Sequence, residues 1–146
     1  MTPFEIVAIF GAITGSVSLA IILYRISKER PRLIFNVERH YWYLSDPQHA
    51  NGTNISIAIR IDNKGERSTT IHKSSLSFSF KGKTYEPRRS PNRLFTVLPH
   101  ETKRESFEFF LPFTETRIEG DTEAGRLFLE HTHGKKELHI PKINKL

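Results

Sequence analysis

The chain has 146 residues, a formal net charge of +6, eleven phenylalanines and no cysteine. The missing thiol excludes disulfides, thiolate metal sites and thiol nucleophiles, though it leaves the compartment open, and the apolar content is high enough for a packed core, which excludes a disordered chain. Residues 1–32 hold four basic and two acidic side chains, and residues 33–146 hold eighteen and fourteen; that balance lacks the dense basic stripe of a nucleic-acid binder.

Residues 6–24, IVAIFGAITGSVSLAIILY, run nineteen positions without a charge. At 1.5 Å per residue such a helix spans about 28 Å, close to the ~30 Å hydrocarbon thickness of a bilayer. A buried helix of a soluble protein rarely runs so long without a polar face. A cleaved signal peptide would need a basic start and a small-x-small cleavage pattern. Here the start, MTPFE, carries Glu5 and no Lys or Arg, and the apolar run ends in Tyr24-Arg25-Ile26. The segment reads as a retained transmembrane helix.

Arg25, Lys28, Arg30 and Arg32 lie just past that helix. Positive residues stay on the cytoplasmic side, so the remainder of the chain is expected there. The same cluster would meet anionic headgroups, each residue contributing about 1 kcal/mol near the surface. Within the helix, Gly11 and Gly15 form a GxxxG spacing, flanked by Ala12, Ser16 and Ala20. Small residues on one face let two helix backbones pack closely, which suggests self-association or assembly with another membrane protein. The expected organisation is a short tail at 1–5, a transmembrane helix at 6–24, a basic juxtamembrane linker at 25–32 and one domain at 33–146.

After Pro31 the hydrophobic period changes to two. Residues 33–37 and 41–44 open the domain, and a polar loop at 45–52 contains Asp46-Pro47 and Asn51-Gly52. Ile55, Ile57, Ile59 and Ile61 then alternate with Ser56, Ala58, Arg60 and Asp62, as a half-buried strand requires. Leu76, Phe78 and Phe80 alternate with serines, and Lys81-Gly82-Lys83 turns the chain into Thr84-Tyr85. Pro87 and Pro91 bracket a basic loop. Further strands are expected around residues 94–98, 107–111, 127–129 and 138–140, the last two joined through a turn centred on Gly134-Lys135. Residues 112–120 show no period. Seven or eight short strands with no helix after residue 32 predict an antiparallel two-sheet β-sandwich, with a small barrel as the alternative.

The stretch IAIRIDNKGERSTTIHKSSLSFSFKGKTYEP, starting at Ile57, resembles part of the bacterial and archaeal immunoglobulin-like domains. The shared features are alternating apolar residues, Asn-x-Gly, Thr-Ile and a strand ending in a Gly turn. Residues 98–102, LPHET, resemble the Leu-x-Pro-Gly-Glu turn of those domains, with His100 where that pattern has Gly. The resemblance covers about residues 55–111. It implies an immunoglobulin-like sandwich behind an N-terminal membrane anchor and transfers no catalytic residue.

Candidate sites are few. His131, His133 and His139 invite a metal, but zinc needs three or four ligands converging on one point. With the hairpin turn at Gly134-Lys135, His139 would face Glu130 and the histidines would separate. Glu115, Glu119, Asp121 and Glu123 crowd one loop instead of facing each other across a cleft. No nucleophile elbow, phosphate-cradling glycine loop or zincin motif occurs. No catalytic residue, cofactor or metal site is therefore assigned. Arg88, Arg89 and Arg93, near Lys81 and Lys83, form a basic loop that could meet lipid phosphates. Tyr41, Trp42 and Tyr43 divide between core and membrane interface, where amphipathic rings favour the headgroup level. Asn51-Gly-Thr and Asn54-Ile-Ser match a glycosylation acceptor, relevant only to a lumenal domain. The sequence reads best as a membrane-anchored protein-interaction module with no activity of its own. The alternative is a structural or accessory subunit assembled through its helix.

Overall fold

A computed structural model describes residues 2–44, 46, 48, 50–89 and 93–146; Pro47 and Pro91 lie outside them. One helix, α1 (Pro3–Lys28), precedes ten strands. Its start is a capping box: the Thr2 backbone N–H donates to Glu5 Oε2 (2.8 Å), and the Glu5 N–H donates to Thr2 Oγ1. Glu5, directly before the uncharged run, thus also serves as a cap carboxylate that satisfies an orphan donor. At its other end α1 continues past Tyr24, so Arg25 and Lys28 occupy the last helical turn. There they face the negative end of the helix dipole. The connection to the domain is residues 29–32, half the length expected from the apolar run. No residue of α1 is buried, and its 18-residue apolar window has a mean hydropathy of 2.4. By length and composition α1 is able to cross a membrane.

The strands are β1 (Leu33–Tyr43), β2 (Gly52–Asn63), β3 (Thr69–Phe80), β4 (Lys83–Tyr85), β5 (Arg88–Arg89), β6 (Phe95–Val97), β7 (Thr102–Pro112), β8 (Gly125–His131), β9 (Gly134–Ile140) and β10 (Asn144–Lys145). They form a β-sandwich. One sheet has the order β10-β1-β2-β7-β5, and the other β4-β3-β8-β9 with β6 also on β3. The two strands beyond the expected seven or eight are β5 and β10, edge pieces of two residues each, too short to show a period. Pairing is antiparallel except between β10 and β1.

The alternating isoleucines of β2 are completely buried, as are Phe107, Phe109 and Leu111 of β7. They face Leu76 and Phe78 of β3 and Leu127 and Leu129 of β8 across the core. Each such side chain contributes about 1.5–3 kcal/mol by leaving water. Two register shifts explain where the period breaks: one between Val37 and Arg39 in β1, one between Ile71 and Lys73 in β3. A bulge inserts one residue and moves the inward set from odd to even positions. Val37 therefore packs inward, yet so does Trp42.

The sandwich has two ends. The helix-proximal end gathers residues 29–32, the β2–β3 turn, the β6–β7 turn and the β8–β9 turn. The distal end is closed by residues 113–124, which bury Ile118 and Thr122 and accept the Trp42 indole N–H at Gly120 O (2.8 Å). Thr122 and Ile143 exchange two hydrogen bonds that fasten the C-terminal segment to this cap.

Candidate functional site

The helix-proximal end is where the chain's polar and basic groups are most deliberately placed. Asn63 is buried; its Nδ2 donates to Arg67 O (2.7 Å) and its Oδ1 accepts from Gly65 N–H (3.0 Å). This closes the β2–β3 turn into a compact knob, the use to which Asn side chains are suited. The juxtamembrane segment lies across that knob. Lys64 N–H donates to Arg32 O (2.7 Å), and Arg67 pairs with Glu29 (2.8 Å). A Cβ on Gly65 would meet Arg30 O at 2.5 Å, Arg32 N at 2.6 Å and Pro31 Cα at 2.7 Å. Only a glycine lets the two backbones approach so closely. The exit from α1 is clamped to the sandwich.

Of the four basic flank residues, Arg25 and Lys28 project from the helix end, while Arg30 and Arg32 lie on the clamped segment. Lys64 and Arg67 join them from the sandwich, together with the carboxylates of Glu66 and of Glu29, the latter paired with Arg67. Gly11 and Gly15 lie mid-helix, and a Cβ at either would meet nothing within 4 Å.

Beside the clamp is a recess of about 480 Å³ between the open edge of β1 and the β8–β9 hairpin. Its floor is apolar, made by Pro31, Leu33 and Phe35, and its rim carries Arg30, Lys136, His131 and His133. The Phe35 and His131 rings stand 6.3 Å apart. Burial pushes the His131 imidazole below its ordinary value, and the neighbouring His133 and His72 push it further. The His133 backbone N–H donates to His131 Nδ1 (3.3 Å), which leaves Nε2–H as the ring's donor.

The hairpin corrects the expected pairing. Its turn is Thr132-His133, two residues earlier than the Gly134-Lys135 centre, because His131 pairs with Gly134. His139 therefore pairs with Arg126, and Lys135, not His139, meets Glu130 (3.4 Å). Burial alone would raise the Glu130 carboxyl, but Lys135, Lys73 and His72 outweigh it and hold it below the usual carboxylate range.

Two other groups read as lipid contacts lie at the end of the sandwich away from α1. Tyr41, Trp42 and Tyr43 end β1, whose first residue follows the clamp; at about 3.3 Å per residue they stand roughly 27 Å from the helix. Trp42 is buried, and Tyr43 donates to Glu108 (3.4 Å), which also accepts from Ser56 (2.6 Å). Burial and the Glu108 charge raise the Tyr43 phenol. Likewise Arg88 and Arg89 pair with Phe110 and Phe109 near the distal end of β7, and Lys81 and Lys83 flank the distal β3–β4 turn. Arg89 lies over the Phe107 ring at 5.1 Å. In the β6–β7 turn, His100 adopts φ +60°, the left-handed conformation that the glycine of the resembled turn would take without strain.

The sequence matches no family model and no curated protein. Solved structures do resemble the fold. A FixG-related protein from Vibrio parahaemolyticus superposes with a TM-score of 0.51 at 8% identity, covering 79% of this chain and 95% of that one. A protein from Archaeoglobus fulgidus gives 0.48 at 10% identity, with 76% and 98% covered. An uncharacterized β-sandwich protein from Clostridium difficile 630 gives 0.42 at 13%, with 77% and 90% covered. At these identities the likeness concerns the fold alone.

Proposed function

We propose that the chain is a single-pass membrane protein: α1 crosses the bilayer, and the sandwich is a cytoplasmic protein-interaction module with no catalytic activity of its own. The observation that carries this reading is the bareness of α1. Its 26 residues, with an 18-residue window of high hydropathy, bury nothing against the domain, and a bilayer is the solvent that covers such a surface. The basic groups at its C-terminal end, joined by Lys64 and Arg67, favour the cytoplasmic orientation. We assign the sandwich to the immunoglobulin-like class on strand order: β1-β2-β7-β5 and β4-β3-β8-β9 correspond to the ABED and C′CFG arrangement. For interaction, β9 ends its sheet with one side of its backbone unpaired by any strand among the described residues, and an added strand is a common way for a partner to dock. Protease added outside intact cells should leave residues 33–146 whole; digestion there would reverse the orientation. A photo-crosslinker at His139 in native membranes should capture a discrete partner that one at Glu119, on the distal cap, does not.

A second reading rests on the open space over Gly11 and Gly15. In it the helix assembles with another helix and the sandwich caps the complex. Gly11→Ile with Gly15→Ile should then abolish association of residues 1–32 in a membrane reporter, while leucine at Ile13 and Val17 leaves it intact. Equal signals from both variants would reduce α1 to a plain anchor.

A further inference from the structure

We infer that the recess between β1 and the β8–β9 hairpin is a phosphate-binding site, positioned to take the phosphate of an anionic lipid headgroup. The inference deepens the membrane-anchored reading and rests on it for the lipid source. Three groups on the rim, Arg30, Lys136 and His131, are cationic or able to donate, His133 Nε2 being engaged by Ser68 O (3.2 Å), and among the described residues no carboxylate lines the recess. Neither Arg30 nor Lys136 forms an ion pair among the described residues, whereas the next lysine, Lys135, is engaged by Glu130 on the other side of its strand. Arg30 offers a planar fork suited to two phosphate oxygens, and Lys136 a mobile point charge. Burial first, then His133 and His72, disfavour the charged form of His131, and an anion in the recess would offset them.

Position selects the source. Arg30 lies two residues beyond the end of α1. With residues 6–24 in the hydrocarbon, the next turn of helix rises about 6 Å, the depth of one headgroup layer. The apolar floor of Pro31, Leu33 and Phe35 gives the carbon skeleton of a headgroup beyond the phosphate something to lie on, which a free phosphate ion would not use. At about 480 Å³ the recess is in the size range of small-ligand sites.

The test uses the full chain in nanodiscs, following the His131 and His133 imidazole resonances by NMR. Discs contain phosphatidylcholine alone, or with phosphatidylglycerol; a third arm titrates inorganic phosphate into the phosphatidylcholine discs. A bound anion within about 4–6 Å of His131 should raise its proton affinity at least about tenfold. Lys136→Gln should remove most of that gain and Lys135→Gln little of it; both delete one charge from the same exposed strand. A shift in phosphatidylglycerol discs that inorganic phosphate does not reproduce assigns the lipid. A shift that phosphate reproduces and competes for supports the site and assigns its ligand to solution. No shift in either arm, or equal loss from both lysine variants, overturns the site in favour of diffuse attraction. If the chain does not enter discs, the anchoring reading fails instead, and the phosphate arm on detergent-solubilised protein decides the site.

Discussion

Gly65→Ala is the sharpest probe of how the helix is fixed to the sandwich. The added methyl would lie 2.5–2.7 Å from three backbone atoms of residues 30–32, none of which can rotate away. Restoring ordinary contact near 3.4 Å requires the juxtamembrane segment to back off by about 0.7–0.9 Å. That movement breaks the Lys64 N–H to Arg32 O hydrogen bond (2.7 Å), worth about 1 kcal/mol. Overpacking against backbone costs a further ~1–3 kcal/mol. The exposed Arg67–Glu29 pair adds little when it parts. The expected loss is thus about 2–4 kcal/mol, or a fall in Tm of roughly 8–16 °C for a domain of this size. Near-UV circular dichroism in detergent is the assay, because Trp42, Tyr41, Tyr43 and Tyr85 report on the sandwich while α1, with Tyr24, persists in the micelle. Lys64→Ala, exposed and adjacent, should change Tm by no more than about 2 °C. If Gly65→Ala does no more than that, the two backbones do not touch and the clamp is wrong.

Ile57→Asp or Ile59→Asp should unfold the sandwich, since each buries an unpaired carboxylate at a fully enclosed position and costs several kcal/mol; Ser77→Asp, on the outer face of β3, should cost under about 1 kcal/mol, and equal losses in denaturant titration would refute the register. His100→Gly should stabilise by about 0.5–1 kcal/mol by relieving a left-handed φ; an unchanged or lower denaturation midpoint would mean the turn is not strained. For His131, burial holds the folded-state pKa below the ordinary 6.5, so its contribution is full above that value and is lost as pH falls through the folded-state pKa. Stability should therefore decline on acidification from pH 7.5 toward 5, and His131→Asn should flatten that slope; an identical slope in the variant would remove His131 as the cause.

The parts legible in the sequence were those whose cause is local. Ile55 to Ile61 announce their strand because a half-buried β-strand demands strict alternation, and the apolar run of α1 needs no context. Lys81-Gly82, with both residues at positive φ, closes the tight hairpin that the sequence suggested. What stayed hidden depends on distant partners. Ile118 and Ile143 are buried in segments without any period, because the distal cap is held by hydrogen bonds between residues 21 apart. Trp42 could not be assigned to the core without the bulge after Val37. His139 was misplaced because a turn two residues off re-pairs the whole hairpin. The recess joins residues 30–35 to 131–136, which nothing in sequence relates.

The shortness of the segment between α1 and β1 makes the chain a torsional coupling. A helix advances about 100° per residue, so one residue inserted between Lys28 and Glu29 would swing every face of the sandwich by more than a quarter turn about the helix axis. With a long flexible tether such a change would vanish into random reorientation; with four residues held on the β2–β3 knob it would not. Two copies joined along Gly11 and Gly15 would consequently hold their sandwiches at one fixed azimuth, and which strand edges remained reachable would be dictated by the packing of the two helices.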